Sequence, residues 1–437
     1  PQQHLPGVAL VQLGGQLGGP PRRVQDALIG HDRVFGFHGT ALAARPSARP
    51  KAALHTALRY SAAMHLTRSK ARWLQLLLTT CLSLGLSASV VAQPAPPSVQ
   101  PDSGPWDSGA GFQFELKKKK LQKTRQSVSG IACNLNAQQQ RVCLLAFDEG
   151  TQARYATLER QALRIDLEPV VLRDTTDELD AESAATDGRY FYVAGSHSAN
   201  RGDCASNPGS RHVIRFRLDA ATGRALRTPT GALVDYADSG RLWPLMQAQP
   251  ELAASVGERK CLGDAPPDKA PELAGQQGVN IEGMAVQGGQ LYFGFRGPVR
   301  DGVARVLAVN TEALFSPQPA SDAQPTVTRL ALGPHRGIRD MVAVKTGLLL
   351  LAGPDDSRAN QGAGWTVAWW DGKTAAGVVQ PRVLAALDLS GVTLRQCDKE
   401  LKPEAITVLE ETPTAYQLLV LSDGLCDGGP LTFTVPR

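Results

Sequence analysis

Four stretches of this chain repeat one pattern: an acidic residue, small and apolar residues, a short turn, an apolar run, then a polar cluster. They are AESAATDGRYFYVAGSHS from Ala181, IEGMAVQGGQLYFGFRGP from Ile281, RDMVAVKTGLLLLAGP from Arg339 and PEAITVLEETPTAYQLLVLSDG from Pro403. A fifth, SGIACNLNAQQQRVCLLAFDEG from Ser129, keeps the shape with Ser129 and Gly130 where the acid would stand. Each unit reads as a β-hairpin followed by further strands, such as RHVIRFRLD, VARVLAVN and WTVAWWDGK. The anchoring acids Glu282, Asp340 and Glu404 fall 58 and 64 residues apart. Four-stranded sheets repeating at that interval predict an all-β chain folded as a β-propeller. Two β-sandwiches would need Greek-key crossovers instead of one repeated unit. Five blades are expected, with six as the alternative if an insertion at about 199–279 hides another. Only PLTFTVP follows the last hairpin, so FQFELKK near Phe112 is expected to lend the missing outer strand.

Residues 112–437 are therefore assigned to the propeller and 93–111 to a Pro/Gly-rich linker. Residues 1–63 lack apolar periodicity and read as upstream or disordered leader sequence. From Met64, the basic residues Arg68, Lys70 and Arg72 precede the apolar run Leu74–Val91 and a small-residue site ending at Ala92. Residues 64–92 thus predict a signal peptide, a periplasmic or secreted address and no membrane anchor after cleavage. The overall charge of +5 arises there: residues 1–92 carry 10 basic and 2 acidic residues, and the remainder 36 and 39. A nucleic-acid partner is excluded on that balance.

Six cysteines follow the signal segment, which suits an exported chain and suggests disulfides. Antiparallel hairpin geometry sets Cys133 opposite Cys143 and brings Cys397, before a first strand, to Cys426, after its partner. Cys204 and Cys261 remain, both within the insertion. No Cys pair has CxxC spacing, which argues against a Cys/His zinc site.

The same geometry gathers polar residues at one end of the ring. Strand starts bring Glu182, Glu282, Asp340 and Glu404; strand ends bring Asp148, Glu149, Ser196, His197, Arg296 and Asp423. Such a collar could hold Ca²⁺ or Mg²⁺ through Glu182, Glu282, Asp340, Glu404, Glu149 and Asp423. Alternatively, Arg296, Arg339 and His197 pair with the acids and fix blade register. Lys117–Lys120 reads as solvated protection of an edge strand.

Taken in order, SGIA with DEG, the D-x-E before YFYVAGSHS, VNIEGMAV with FGFRGP, GIRDM with LAGP, and PEAI with SDG resemble the bacterial domain-of-unknown-function family 3616, from about Ser129 to Asp423. The resemblance implies a secreted or periplasmic propeller-like domain with no established reaction. A broader, fold-level likeness is to esterase-like phytase and gluconolactonase-type propellers. The expected function is a monomeric binding or scaffold module with an acid-lined axial mouth for a metal ion, carbohydrate, other small molecule or protein. The alternative is a metal-dependent hydrolase of phosphoesters or lactones, with His197 moving a proton and Arg296 clamping an anion.

Overall fold

The computed structural model describes residues 95–317 and 320–437. The leader, the signal segment and Cys81 lie outside the described residues.

The hairpin repeat becomes five sheets. Blade 1 comprises Val128–Leu135, Arg141–Phe147, Gln152–Glu159 and Ala162–Val171; blade 2 comprises Ala181–Thr186, Tyr190–Gly195, Val213–Asp219 and Ala237–Ser239. Blade 3 runs Asn280–Gln287, Gln290–Gly297, Val303–Asn310 and Thr326–Ala331; blade 4 runs Arg336–Val344, Gly347–Pro354, Trp365–Trp370 and Arg382–Leu387. Blade 5 has three strands, Lys402–Glu411, Ala415–Asp423 and Leu431–Pro436. This is a five-bladed propeller. The insertion hides no sixth blade among the described residues, because Val213–Asp219 and Ala237–Ser239 complete blade 2. What remains of it is a loop after Gly195 and a segment with two short helices, Leu242–Gln247 and Pro250–Ala253.

Second strands such as YFYVAG and GLLLLAGP are apolar without interruption because both faces are covered by neighbouring blades. Each blade junction has its own apolar cluster. Leu144, Phe191 and Phe216 join blades 1 and 2; Leu349, Leu418 and Phe433 join blades 4 and 5.

The ring closes differently from the sequence expectation. FQFELKK forms no strand; Phe112 packs edge-on against Phe147 at 5.2 Å, and Lys118–Arg125 forms helix α1. The basic run therefore begins a helix and guards no edge strand. Closure comes from upstream, within the stretch whose composition suggests a linker. There Ser98–Val99 pairs in parallel with Arg382–Leu387, and Ser103 bridges Thr432 on the last strand. Asp427 adds a buried clamp, accepting from Ser108 Oγ at 2.7 Å, Phe112 N at 2.9 Å and Arg125 Nε at 2.9 Å. Among the described residues no helix is long and apolar enough to cross a membrane.

Cys133–Cys143 and Cys204–Cys261 are disulfide-bonded, matching the expected pairs. The third pair is corrected. Cys397 and Cys426 meet but remain thiols, with Cys426 Sγ donating to the Cys397 carbonyl at 3.0 Å. Burial pushes the Cys426 thiol up to about 12, which keeps it protonated.

Candidate functional site at the axial mouth

The first strand of every blade carries a β-bulge at one shared position. Pairing skips one residue between Val128 and Gly130, Ala181 and Ser183, Ile281 and Gly283, Ile338 and Asp340, and Pro403 and Ala405. The bulged residues are Ser129, Glu182, Glu282, Arg339 and Glu404. A bulge re-aims one side chain and bends the strand. Here it builds a five-membered collar with one base among three acids. In blades 1 and 3 the following position is glycine, and the neighbouring blade approaches it too closely for a side chain. A Cβ on Gly130 would lie 2.7 Å from Ala184 N, and one on Gly283 would lie 2.9 Å from Ile338 Cγ2.

This register corrects the blade 4 member. The collar residue is Arg339, and Asp340 points instead into the protein, where its carboxylate accepts from Met341 N and Ile406 N, both at 2.8 Å. Complete burial raises its pKa well above the usual range despite those donors.

Arg339 stands between Glu282 and Glu404, ion-paired to Glu282 Oε2 at 2.9 Å and to Glu404. Arg296, at the end of the second strand of blade 3, pairs with Glu282 Oε1 at 2.8 Å and Asp356 Oδ1 at 3.1 Å. Asn280 Nδ2 reaches Glu282 at 3.1 Å and Asp356 at 3.2 Å. Burial lowers the Arg339 pKa to about 10, with Arg296 adding to the effect. Burial alone would raise Asp356, yet Arg296, Arg201 and Arg339 hold it below the usual carboxylate range. Blades 3 to 5 thus meet in a closed ionic network that bridges the expected metal candidates Glu282 and Glu404 with a guanidinium.

The blade 1 and 2 side differs. Asp148, Asp180, Glu182 and Asn280, with the loop after Gly195, line a cavity of about 610 Å³. Neither Asp148 nor Glu182 is ion-paired among the described residues, and Asp148 Oδ1 is buried without a hydrogen-bond partner. Burial raises Glu182 well above its ordinary pKa, and Glu282, Asp180 and Asp148 add to the shift. Burial likewise raises Asp148, reinforced by Asp423 and Asp180. It raises Asp180 too, although the Ser196 hydroxyl donates to that carboxylate.

The other expected site residues are committed elsewhere. His197 is sealed, with Nδ1 2.9 Å from the Gly195 carbonyl; burial drops its pKa to about 4 and holds the ring neutral. Glu149 pairs with Lys123 on α1, and Asp423 with Lys402 at 3.3 Å. Asp180 and Asp356 were missed as site residues. The D-x-E of blade 2 and the GPDD of blade 4 carried their signal, since both lie just beyond strand ends where side chains face the mouth.

Residues 270–427 match the family described as "Protein of unknown function (DUF3616)". The matched segment covers blades 3 and 4, the first two strands of blade 5 and the whole Arg296–Glu282–Arg339–Glu404 network, a shorter span than the resemblance from Ser129. No curated protein matches the chain. Among solved structures it is similar to the exo-β-1,3-galactanase of Phanerochaete chrysosporium, at 9% identity and a TM-score of 0.38, covering 77% of this chain and 65% of that one. It is also similar to a GH43 β-1,3-galactosidase, at 9% identity and 0.39, covering 76% and 58%. The α-L-arabinanase of Penicillium chrysogenum stands at 11% and 0.34, covering 78% and 98%. The chain thus spans less than two thirds of the first two structures' length. At these values the likeness concerns the arrangement of blades alone.

Proposed function

We propose that the protein is a binding module whose axial mouth takes a small organic cation, such as an amine. The observation that carries this reading is the unpaired state of Asp148 and Glu182 on the wall of a 610 Å³ cavity, beside a network whose acids are already neutralised. Buried like charges stay ionised only when a cation joins them, so a bound ammonium would relieve both repulsion and desolvation. A cavity of this size accommodates a small molecule.

A bare metal ion is the weaker reading. Among the described residues, only Cys397, Asp398 and Cys426 bring three candidate ligand atoms within 4.8 Å of one another. Asp398 is already held by Arg395 Nε and Nη2, each at 2.9 Å. A sugar is disfavoured because no aromatic ring is among the described cavity residues to stack on its face. The hydrolase alternative loses its proton carrier and anion clamp, since His197 is sealed and Arg296 is ion-paired. The two disulfides support a working environment outside the reducing cytoplasm.

Calorimetric titration with putrescine, cadaverine, Ca²⁺ and Mg²⁺ tests the reading. One diamine per chain should bind, with protons released as the raised carboxyls ionise, and Glu182→Gln should weaken binding at least tenfold. Binding of Ca²⁺ or Mg²⁺ without either diamine would transfer the site to a metal. No binding by any probe to folded protein would end the proposal.

A further inference from the structure

The cavity is not uniformly acidic. Arg201 is the one base among its described lining residues, and its side chain is 63% exposed. Its ion pair to Asp356 Oδ1 is 3.6 Å long, beyond hydrogen-bonding distance. Asp356 is itself 2% exposed and already served by Arg296 Nε at 3.1 Å and Asn280 Nδ2 at 3.2 Å. The guanidinium of Arg201 therefore neutralises a carboxylate that needs little more charge, while its donors remain open to the cavity.

The backbone beneath Arg201 is fixed. Cys204 N donates to Asn200 O at 2.9 Å, Asn200 N to Ala205 O at 3.0 Å, and Lys269 N to Gly202 O at 3.0 Å. The Cys204–Cys261 disulfide ties the same turn to the segment before blade 3. A planar donor fork on a braced turn is suited to a carboxylate. Glu182 and the buried, unpartnered Asp148 Oδ1 line the same cavity.

We propose that the axial cavity recognises an amino carboxylate of the α-amino acid class. The ligand's ammonium lies on Asp148, Asp180 and Glu182, and its carboxylate accepts from Arg201. The assignment rests on the organic-cation reading and adds a second, opposite charge to the ligand. It reverses the expectation for a purely acidic cavity, in which a carboxylate on the ligand would weaken binding by like-charge repulsion. Arg201 also takes over the anion-clamping role that the sequence suggests for Arg296, which is ion-paired to Glu282 and Asp356 inside the network.

Matched pairs isolate the carboxylate: lysine against cadaverine, and ornithine against putrescine, titrated calorimetrically into the intact, disulfide-bonded protein at low salt. In wild type, each amino acid should bind at least tenfold more tightly than its diamine. In Arg201→Gln that preference should vanish or invert, while diamine affinity holds or rises because a positive charge has left the cavity. Circular dichroism and an unchanged melting temperature show that the variant is folded. Equal affinity within both pairs in wild type, or a preference that survives Arg201→Gln, overturns the assignment and leaves the cation reading standing. Failure of all four compounds to bind ends both.

Discussion

The two halves of the axial collar occupy the same structural position and use it oppositely. Glu182, Glu282 and Glu404 all sit on the first-strand bulge of their blades, yet Glu282 and Glu404 flank Arg339 whereas Glu182 lies between Ser129 and Glu282 around the ring. One base in a five-membered ring can touch two neighbours, so its position decides which acids are neutralised. Arg296 and Asp356 complete the paired half, and a cavity opens beside the unpaired one. Repetition of a fold unit therefore supplies positions. The order of charges around the ring then divides them between holding blades together and meeting a ligand.

That division breaks most visibly at Arg339. Arg339→Met leaves Glu404 without a cation and Glu282 with Arg296 alone, both buried. A loss of about 3–5 kcal/mol is expected, because an uncompensated buried charge costs more than the pair contributes. Urea denaturation measures it, and adding Glu404→Gln to the variant should restore part of the loss. A change below about 1 kcal/mol would remove the structural role assigned to the paired half. Asp340→Asn comes next. Both Asp340 oxygens accept backbone N–H groups, so an amide turns one acceptor into a clashing donor at a cost of about 1–3 kcal/mol. It should leave diamine binding unchanged, since the side chain faces the core; a tenfold loss of affinity would return Asp340 to the mouth.

Asp340 also shows how far the site was legible. The acid spacing through Glu282, Asp340 and Glu404 identified the blades, and hairpin antiparallelism matched Cys133 with Cys143. An alignment that places acid on acid, however, cannot see a bulge. The extra residue belongs to the hydrogen-bond register, and register puts Arg339 in the collar with Asp340 one step further, on the other face. Asp180 and Asp356 escaped because each stands outside a strand, where side-chain direction follows the local turn; Asp180 has a positive φ of 52°. Phe112 illustrates a different limit. An apolar alternation in FQFELKK satisfies a strand pattern, yet burying Phe112 and Phe114 against Phe147 uses the same residues without a sheet edge. Cys397 and Cys426 were brought together by correct topology, yet their sulfurs remain unbonded, with Cys426 Sγ on the Cys397 carbonyl.

The smallest expected effect is a difference in sign between the halves. Glu182 has a folded-state pKa raised above its unfolded value, by burial first and then by Glu282, Asp180 and Asp148. Its protonated form therefore favours the fold below the unfolded value of about 4.3, and that stability drains away as pH rises through the raised folded value. Asp356 is depressed, because Arg296 and its neighbours outweigh burial. Its contribution is present above the unfolded value of about 3.9 and lost as pH falls through the depressed one. Glu182→Gln should accordingly match wild type near pH 4 and become more stable by about 1 kcal/mol near pH 8, where wild type has an ionised, unpaired acid to accommodate. Asp356→Asn should instead become less stable than wild type as pH rises from 3. Urea midpoints collected from pH 3 to 8 read both curves. Parallel curves for the two variants would mean that the collar is electrostatically uniform, and the unpaired half would then hold no special claim on a cationic ligand.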